Sequence, residues 1–242
     1  MTDAAYRGEH VELEIVSLSA GATRAFAAPA GQEAALVLLA GEVELAGETA
    51  KRTSVFDARA SAVYLPPGAS AAVASRSDAE IAFVATRGYS LAPDGEPVHV
   101  RPDDVVAQPR GKPGWQRDVH DIVDARVPAQ HLLIGETFNA AGQWSSFPPH
   151  KHDGRDGELA LEEVYYYRFD RPDGFGFQGL YDADGEERAV FLRHGAIVGI
   201  PHGYHPVCAA PGYRLYYLWA LVGEQRELTM FEDPAHRWLR DA

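Results

Sequence analysis

Pro148-Pro149-His150-Lys151-His152-Asp153, followed shortly by Glu162-Glu163-Val164-Tyr165-Tyr166-Tyr167, is the stretch from which the rest of the chain is read. Side chains alternate along an extended segment, so His150 and His152 project to one side and Lys151 to the other. The second piece is rich in aromatic and β-branched residues, which is strand composition. On such a strand Glu163, Tyr165 and Tyr167 share one face, and Glu162, Tyr166 and Arg168 share the other. A third imidazole, His205, follows in Pro201-His202-Gly203-Tyr204-His205. Three imidazoles and one carboxylate, all on β-type sequence, make a metal-site composition. Strand alternation selects Glu163 over Glu162 as the carboxylate. Zn, Mn, Fe and Ni all accept this donor set, so the expectation is one divalent ion per chain with its identity left open. Asp153 either orients a ligand imidazole or solvates its loop.

Outward from this stretch the chain reads as short strands between turns. In the second half these are 131–138, 163–169, 175–181, 188–192, 196–200 and 213–221, with a hairpin turn over 168–174. In the first half they are 11–16, 34–39, 43–46, 61–65, 71–74 and 81–86, with breaks at Gly31, Gly41, Gly47 and Pro66-Pro67-Gly68. The stretch from Gly88 to Gln116 is proline-rich and reads as a connector with one extended piece at 98–101. Residues 117–126 read as a short helix or turn, and 234–239 as a helical turn. Val63-Tyr64-Leu65-Pro66-Pro67-Gly68 matches Val198-Gly199-Ile200-Pro201-His202-Gly203 in spacing, and Glu33-Ala34-Ala35-Leu36 echoes Glu163-Val164-Tyr165-Tyr166. Two copies of one β unit follow, and the first has no histidine between His10 and His99.

Composition narrows the function. A chain of 242 residues with a net charge of −13 and no basic stripe is not built for nucleic acid or an anionic membrane. The one cysteine, Cys208, excludes an internal disulfide and suits a reducing compartment. The residues after Met1 lack a basic segment followed by an apolar run, and no apolar stretch is long enough to span a bilayer. The expected location is the cytoplasm.

His-x-His, a later Glu, and Pro-x-Gly followed by His resemble the metal motifs of the cupin superfamily. The spacing departs from the general pattern: more residues separate His152 from Glu163, and Gly203-Tyr204-His205 is one residue short. A narrower family matches both. Gly135-Glu136-Thr137-Phe138, Trp144-Ser145-Ser146-Phe147-Pro148-Pro149-His150-Lys151-His152-Asp153, Leu161 to Arg168, Pro201-x-Gly203-Tyr204-His205-Pro206-Val207 and Asp233-Pro234-x-His236-x-Trp238 resemble the 5-deoxy-glucuronate isomerases of bacterial myo-inositol catabolism. Trp219 departs from that pattern, where a smaller polar residue is expected, as does the loop Gly154-Arg155-Asp156-Gly157. The family is in turn similar to 4-deoxy-5-ketouronate isomerases.

The resemblance implies an all-β bicupin of two jelly-roll units: residues 1–110 without metal ligands and residues 111–242 with the metal site. It implies conversion of 5-deoxy-D-glucuronate to 5-dehydro-2-deoxy-D-gluconate, an aldose–ketose interconversion through a metal-stabilised cis-enediolate. The ligands carry over to His150, His152, Glu163 and His205. Tyr167, on the face of Glu163, and His202, beside the ligand loop, are the candidates for moving the proton. Lys151 and Arg155 are the nearest cations for the substrate carboxylate, although Lys151 points away from its flanking histidines. His120 and His236 lie in family-like segments without a ligand partner in sequence. A homo-oligomer is expected by analogy. The same ligands also suit an oxygen-dependent cupin dioxygenase or a non-enzymatic sugar-binding module. The absence of an appended DNA-binding helix pair counts against a regulator.

Overall fold

The computed structural model describes residues 2–241. Among the described residues the regular structure is all β, apart from two short 3-10 turns at Pro102–Asp104 and Arg237–Arg240. Two compact units divide the chain. One takes the residues up to Val106 together with His120–Gly135; the other takes Ala107–Val119 and the residues from Glu136 onward. The expected halves, 1–110 and 111–242, place 107–110 and 120–135 on the other side of the boundary.

The first unit turns on the strand Ala34–Leu45, which joins the two stretches expected at 34–39 and 43–46. Its first part pairs with Ala62–Leu65 and Ala79–Thr86, and its second with Glu48–Arg52 and Ser70–Ser75. Gly41, expected as a break, is where one strand passes from one set of neighbours to the other. Its φ is 103°, and a Cβ there would lie 2.6 Å from Ala79 Cα. Only glycine combines that backbone with that approach. Alternate residues Ala34, Leu36 and Leu38 turn into a core with Val63, Leu65, Ile81 and Phe83.

In the second unit, the strands Leu215–Val222, Glu162–Phe169 and Ile197–Ile200 lie side by side in that order. A second sheet runs Trp144–Ser145, Val207–Ala209, Phe175–Tyr181, Glu187–Arg193. Tyr165, Tyr167, Phe169, Leu215 and Tyr217 of the first sheet meet Leu180, Leu192 and Val207 of the second in one core. The tyrosine run is therefore mostly packing, each buried ring contributing about 1.5–3 kcal/mol. Arg117–Val123 is a strand, not the helix or turn its sequence suggests.

Strand pairing also corrects the register of the internal repeat. Glu163 pairs with Ile200, and in the first unit it is Ala34 that pairs with Leu65. Ala34, not Glu33, therefore stands at the place of Glu163. Glu33 is fully buried and turns to the opposite face, where its carboxylate accepts hydrogen bonds from Tyr64 Oη and the amides of Gln130, His131 and Leu132 at 2.6–2.8 Å.

Candidate metal centre

Glu163 reaches the inner face because it is the second residue of a strand held in register on both sides, against Leu221 and Ile200. His150–Lys151 is a two-residue strand paired with Phe231–Glu232, which keeps the segment extended into His152. His205 arrives on the loop after Ile197–Ile200. The ring centres of His150 and His152 each lie 5.0 Å from that of His205, and 6.4 Å from each other. His152 Nε2 and His205 Nε2 are 3.1 and 3.4 Å from Glu163 Oε2. Ligand atoms of His152, Glu163 and His205 lie within 4.8 Å of one another, and all three residues are buried. His150 stands half-buried at the edge of this group.

Each ring has its Nδ1 on a main-chain carbonyl: His150 on Pro148 at 3.3 Å, His152 on Leu161 at 2.9 Å and His205 on Gly203 at 3.0 Å. A neutral imidazole that donates from Nδ1 presents a lone pair at Nε2, the form a metal takes. Burial, and then the neighbouring His152, hold His150 down to about 3. Burial holds His205 down to about 3, against the pull of Glu163. At His152 burial is the largest influence and acts downward, but the hydrogen bond and charge of Glu163 outweigh it and raise its pKa. A proton on His152 stands, in effect, where a cation would. His205 Nε2 is buried and makes no hydrogen bond. A buried acceptor with no partner, aimed at a carboxylate, costs stability unless a cation completes it. These residues fit a divalent metal.

A family model described as the KduI/IolB family matches residues 1–239. The chain belongs to the KduI/IolB family. It is 34% identical to a 5-deoxy-glucuronate isomerase of Geobacillus kaustophilus (strain HTA426), over 97% of this chain and 87% of that one. It is 31% identical to a 5-deoxy-glucuronate isomerase of Bacillus subtilis (strain 168), over 95% and 88%. Among solved structures, an IolB-like protein from Salmonella typhimurium LT2 superposes with a TM-score of 0.89 at 30% identity, covering 99% of this chain and 95% of that one. An oxalate decarboxylase of Lactobacillus farciminis superposes at 0.65 with 13% identity over 97% and 82%, a likeness of fold alone. This KduI/IolB chain has the bicupin fold its motifs imply.

Around the imidazole group, this KduI/IolB chain departs from sequence expectation at several residues. Lys151, expected near a substrate carboxylate, is buried on the opposite side of its strand. There its Nζ meets Asp153 at 2.5 Å, Glu158 at 2.7 Å and Asp156 at 2.8 Å. Burial alone would lower its pKa, but these carboxylates raise it, and the lysine has no free face for substrate. Arg155 is exposed and pairs with Asp184 at 2.9 Å. Asp153 touches no imidazole; its Oδ2 accepts the Gly203 amide at 3.1 Å and so holds the loop whose carbonyl orients His205. His202 is exposed, 3.6 Å from Asp182, and lines a surface hollow of about 470 Å³ with Asp182 and Glu186, outside the imidazole group. His236 lies 3.9 Å from Asp233.

Tyr167 is fully buried and donates to Gln178 Oε1 at 2.9 Å. The tyrosine beside the imidazole group is Tyr165, 6.1 Å from the His205 ring, with its hydroxyl 3.1 Å from Ser146 Oγ. Burial first, then surrounding charge, raises both phenols well above the usual range. Held as neutral hydroxyls, neither is a base at neutral pH. Tyr217 lies 4.5 Å from Tyr165 ring to ring, and its hydroxyl donates to Ser145 Oγ at 3.0 Å. Face alternation contained the signal for Tyr165; it follows Glu163 by two on the inner face, one step nearer than Tyr167. Trp219, opposite Tyr165 in the ladder, packs against the same core.

Proposed function

We propose that this chain is a metal-dependent aldose–ketose isomerase that converts 5-deoxy-D-glucuronate to 5-dehydro-2-deoxy-D-gluconate in myo-inositol catabolism. The observation that carries the reading is the convergence of His150, His152 and His205 on Glu163, with the buried His205 Nε2 lacking a hydrogen-bond partner. The relatives named for that activity, spanning nearly the whole chain, supply the substrate. One divalent ion per chain, of the Zn, Mn, Fe or Ni class, would be held by His150, His152, Glu163 and His205. Bound there, it supplies a Lewis acid for the negative charge that develops on substrate oxygen during proton transfer between adjacent carbons. The protein's own part is orientation. Three carbonyl contacts orient the imidazoles, and the neutral hydroxyl of Tyr165 offers a donor to substrate oxygens. Among the described residues the first unit has no such set, with Ala34 at the place of Glu163. Location in the cytoplasm agrees with the single cysteine, and among the described residues no helix is long and apolar enough to cross a membrane.

The test is an isomerase assay on 5-deoxy-glucuronate and on 4-deoxy-5-ketouronate, with metal analysis of the same sample. The expected result is turnover of the first with about one metal per chain, and loss of both metal and rate in His150→Ala. Turnover of neither acid sinks the reading. A His150→Ala protein with full metal content and full rate sinks the metal-centred part of it.

A further inference from the structure

The substrate proposed above is an anion with its reacting carbons at one end and its carboxylate at the other. A protein of net charge −13 has to place a cation at that far end. Lys151 is saturated by three carboxylates, and Arg155 is exposed and paired. Arg117 is differently placed. It opens the strand Arg117–Val123, half-buried, and shares the inward side of that strand with buried Val119. Its Nη1 donates to the carbonyls of Trp115 and Phe147, both at 3.3 Å. Phe147 is itself fixed, its ring packed against Trp115 at 5.4 Å and Trp144 at 5.7 Å, three residues before His150. A side chain on Gly111 would come within 3.1 Å of the same Nη1, so the guanidinium is roofed as well as anchored. Among the described residues no carboxylate pairs with Arg117, and its Nε and Nη2 make no hydrogen bond.

Two neutral carbonyls are incomplete company for a half-buried guanidinium, which has five donors. Burial lowers the pKa of Arg117, as expected of a cation without a counter-ion. The Phe147 carbonyl it binds follows Ser146, whose hydroxyl is 3.1 Å from that of Tyr165, and the Tyr165 ring lies 6.1 Å from that of His205. Beside Phe147, Ser145 and Ser146 form two hydroxyl pairs, Ser146 with Tyr165 at 3.1 Å and Ser145 accepting from Tyr217 at 3.0 Å. An anchored planar fork, two hydroxyl pairs and the imidazole group in one unit suit an extended polyhydroxy acid. We propose that Arg117 binds the carboxylate of the sugar acid and so sets which end of it faces His150, His152, Glu163 and His205. The assignment rests on the isomerase reading above.

The test compares 5-deoxy-glucuronate with its neutral amide, 5-deoxy-glucuronamide, on the metal-loaded wild type, Arg117→Gln and Arg117→Lys. For the acid, Arg117→Gln should raise KM about 10- to 100-fold, the range of a charge-assisted pair, with metal content unchanged. For the amide, KM should change less than about 2-fold, since the lost partner was a charge. Arg117→Lys should restore part of the acid's binding through a point charge without the fork. An acid KM that stays within about 2-fold of wild type, or an equal change for acid and amide, overturns the assignment and leaves the isomerase reading intact. No turnover by wild type overturns both. If Arg117→Gln fails to fold, Arg117→Lys decides: an acid-specific rise in KM supports the assignment, and its absence overturns it.

Discussion

An imidazole that spends its Nδ1 proton on a main-chain carbonyl has only Nε2 left to offer. Three histidines do this around Glu163, and two of them, His150 and His205, are held neutral down to about 3. An exposed imidazole protonates near 6.5. As pH falls below about 6.5 the unfolded metal-free chain therefore takes up protons that the folded one refuses, and stability is lost from there down to about 3. His152 works the other way: its folded pKa is raised, so its contribution is full below the unfolded value and is lost as pH rises through the folded one. With two groups against one, the urea midpoint of the metal-free protein should fall between neutral pH and the carboxylate range, and fall less in His205→Gln. Identical pH profiles for the two proteins would refute this account. The grouping of His150, His152 and Glu163 was legible because extended spacing and strand alternation are local rules. Arg117 was not, because its contact with the segment of His150 is made through Phe147, thirty residues further along the chain, and spacing arguments favour cations that are close in sequence.

Elements position these residues, and their boundaries follow from packing that local patterns only partly show. Glu162–Phe169 is evident as a strand from its aromatic run. Arg117–Val123 is disguised: Val119, Ile122 and Val123 have the i, i+3, i+4 spacing of a helix face, and pairing in the sheet overrides it. Gly41 reads as a break and proves to be a bend within one strand. The loop carrying His205 depends on another glycine. Gly203 has a φ of 82°, and a Cβ there would sit 2.6 Å from the Tyr181 carbonyl oxygen. Its amide is tied to Asp153 and its carbonyl to His205. Gly203→Ala should therefore weaken metal affinity about 10- to 100-fold in a chelator competition, as loss of an outer support does. It should also cost about 1–3 kcal/mol in thermal unfolding. Unchanged affinity would mean that the loop does not govern His205.

Across the whole molecule, one architecture serves two purposes. The second unit aims a carboxylate into its interior; the first has alanine there and turns its neighbouring carboxylate, Glu33, to the other face as a receptor for three amides and a phenol. Glu33→Gln opposes an amide group to those donors and should cost on the order of 2 kcal/mol or more, with metal per chain unchanged. Metal removal should lower the melting temperature of wild type and Glu33→Gln by similar amounts, because the two sites are independent. Metal loss in Glu33→Gln without a loss of stability would contradict that separation. The amides that Glu33 receives lie 97 to 99 residues further along the chain. A ribosome thus completes the first unit only when Gly135 has emerged, and by then it has already delivered Ala107–Val119, an opening piece of the second unit whose partners are not yet made. Neither unit is a contiguous gene segment, so no single cut yields both intact, and a transplant of the second unit must carry His120–Gly135, a piece of the first, with it.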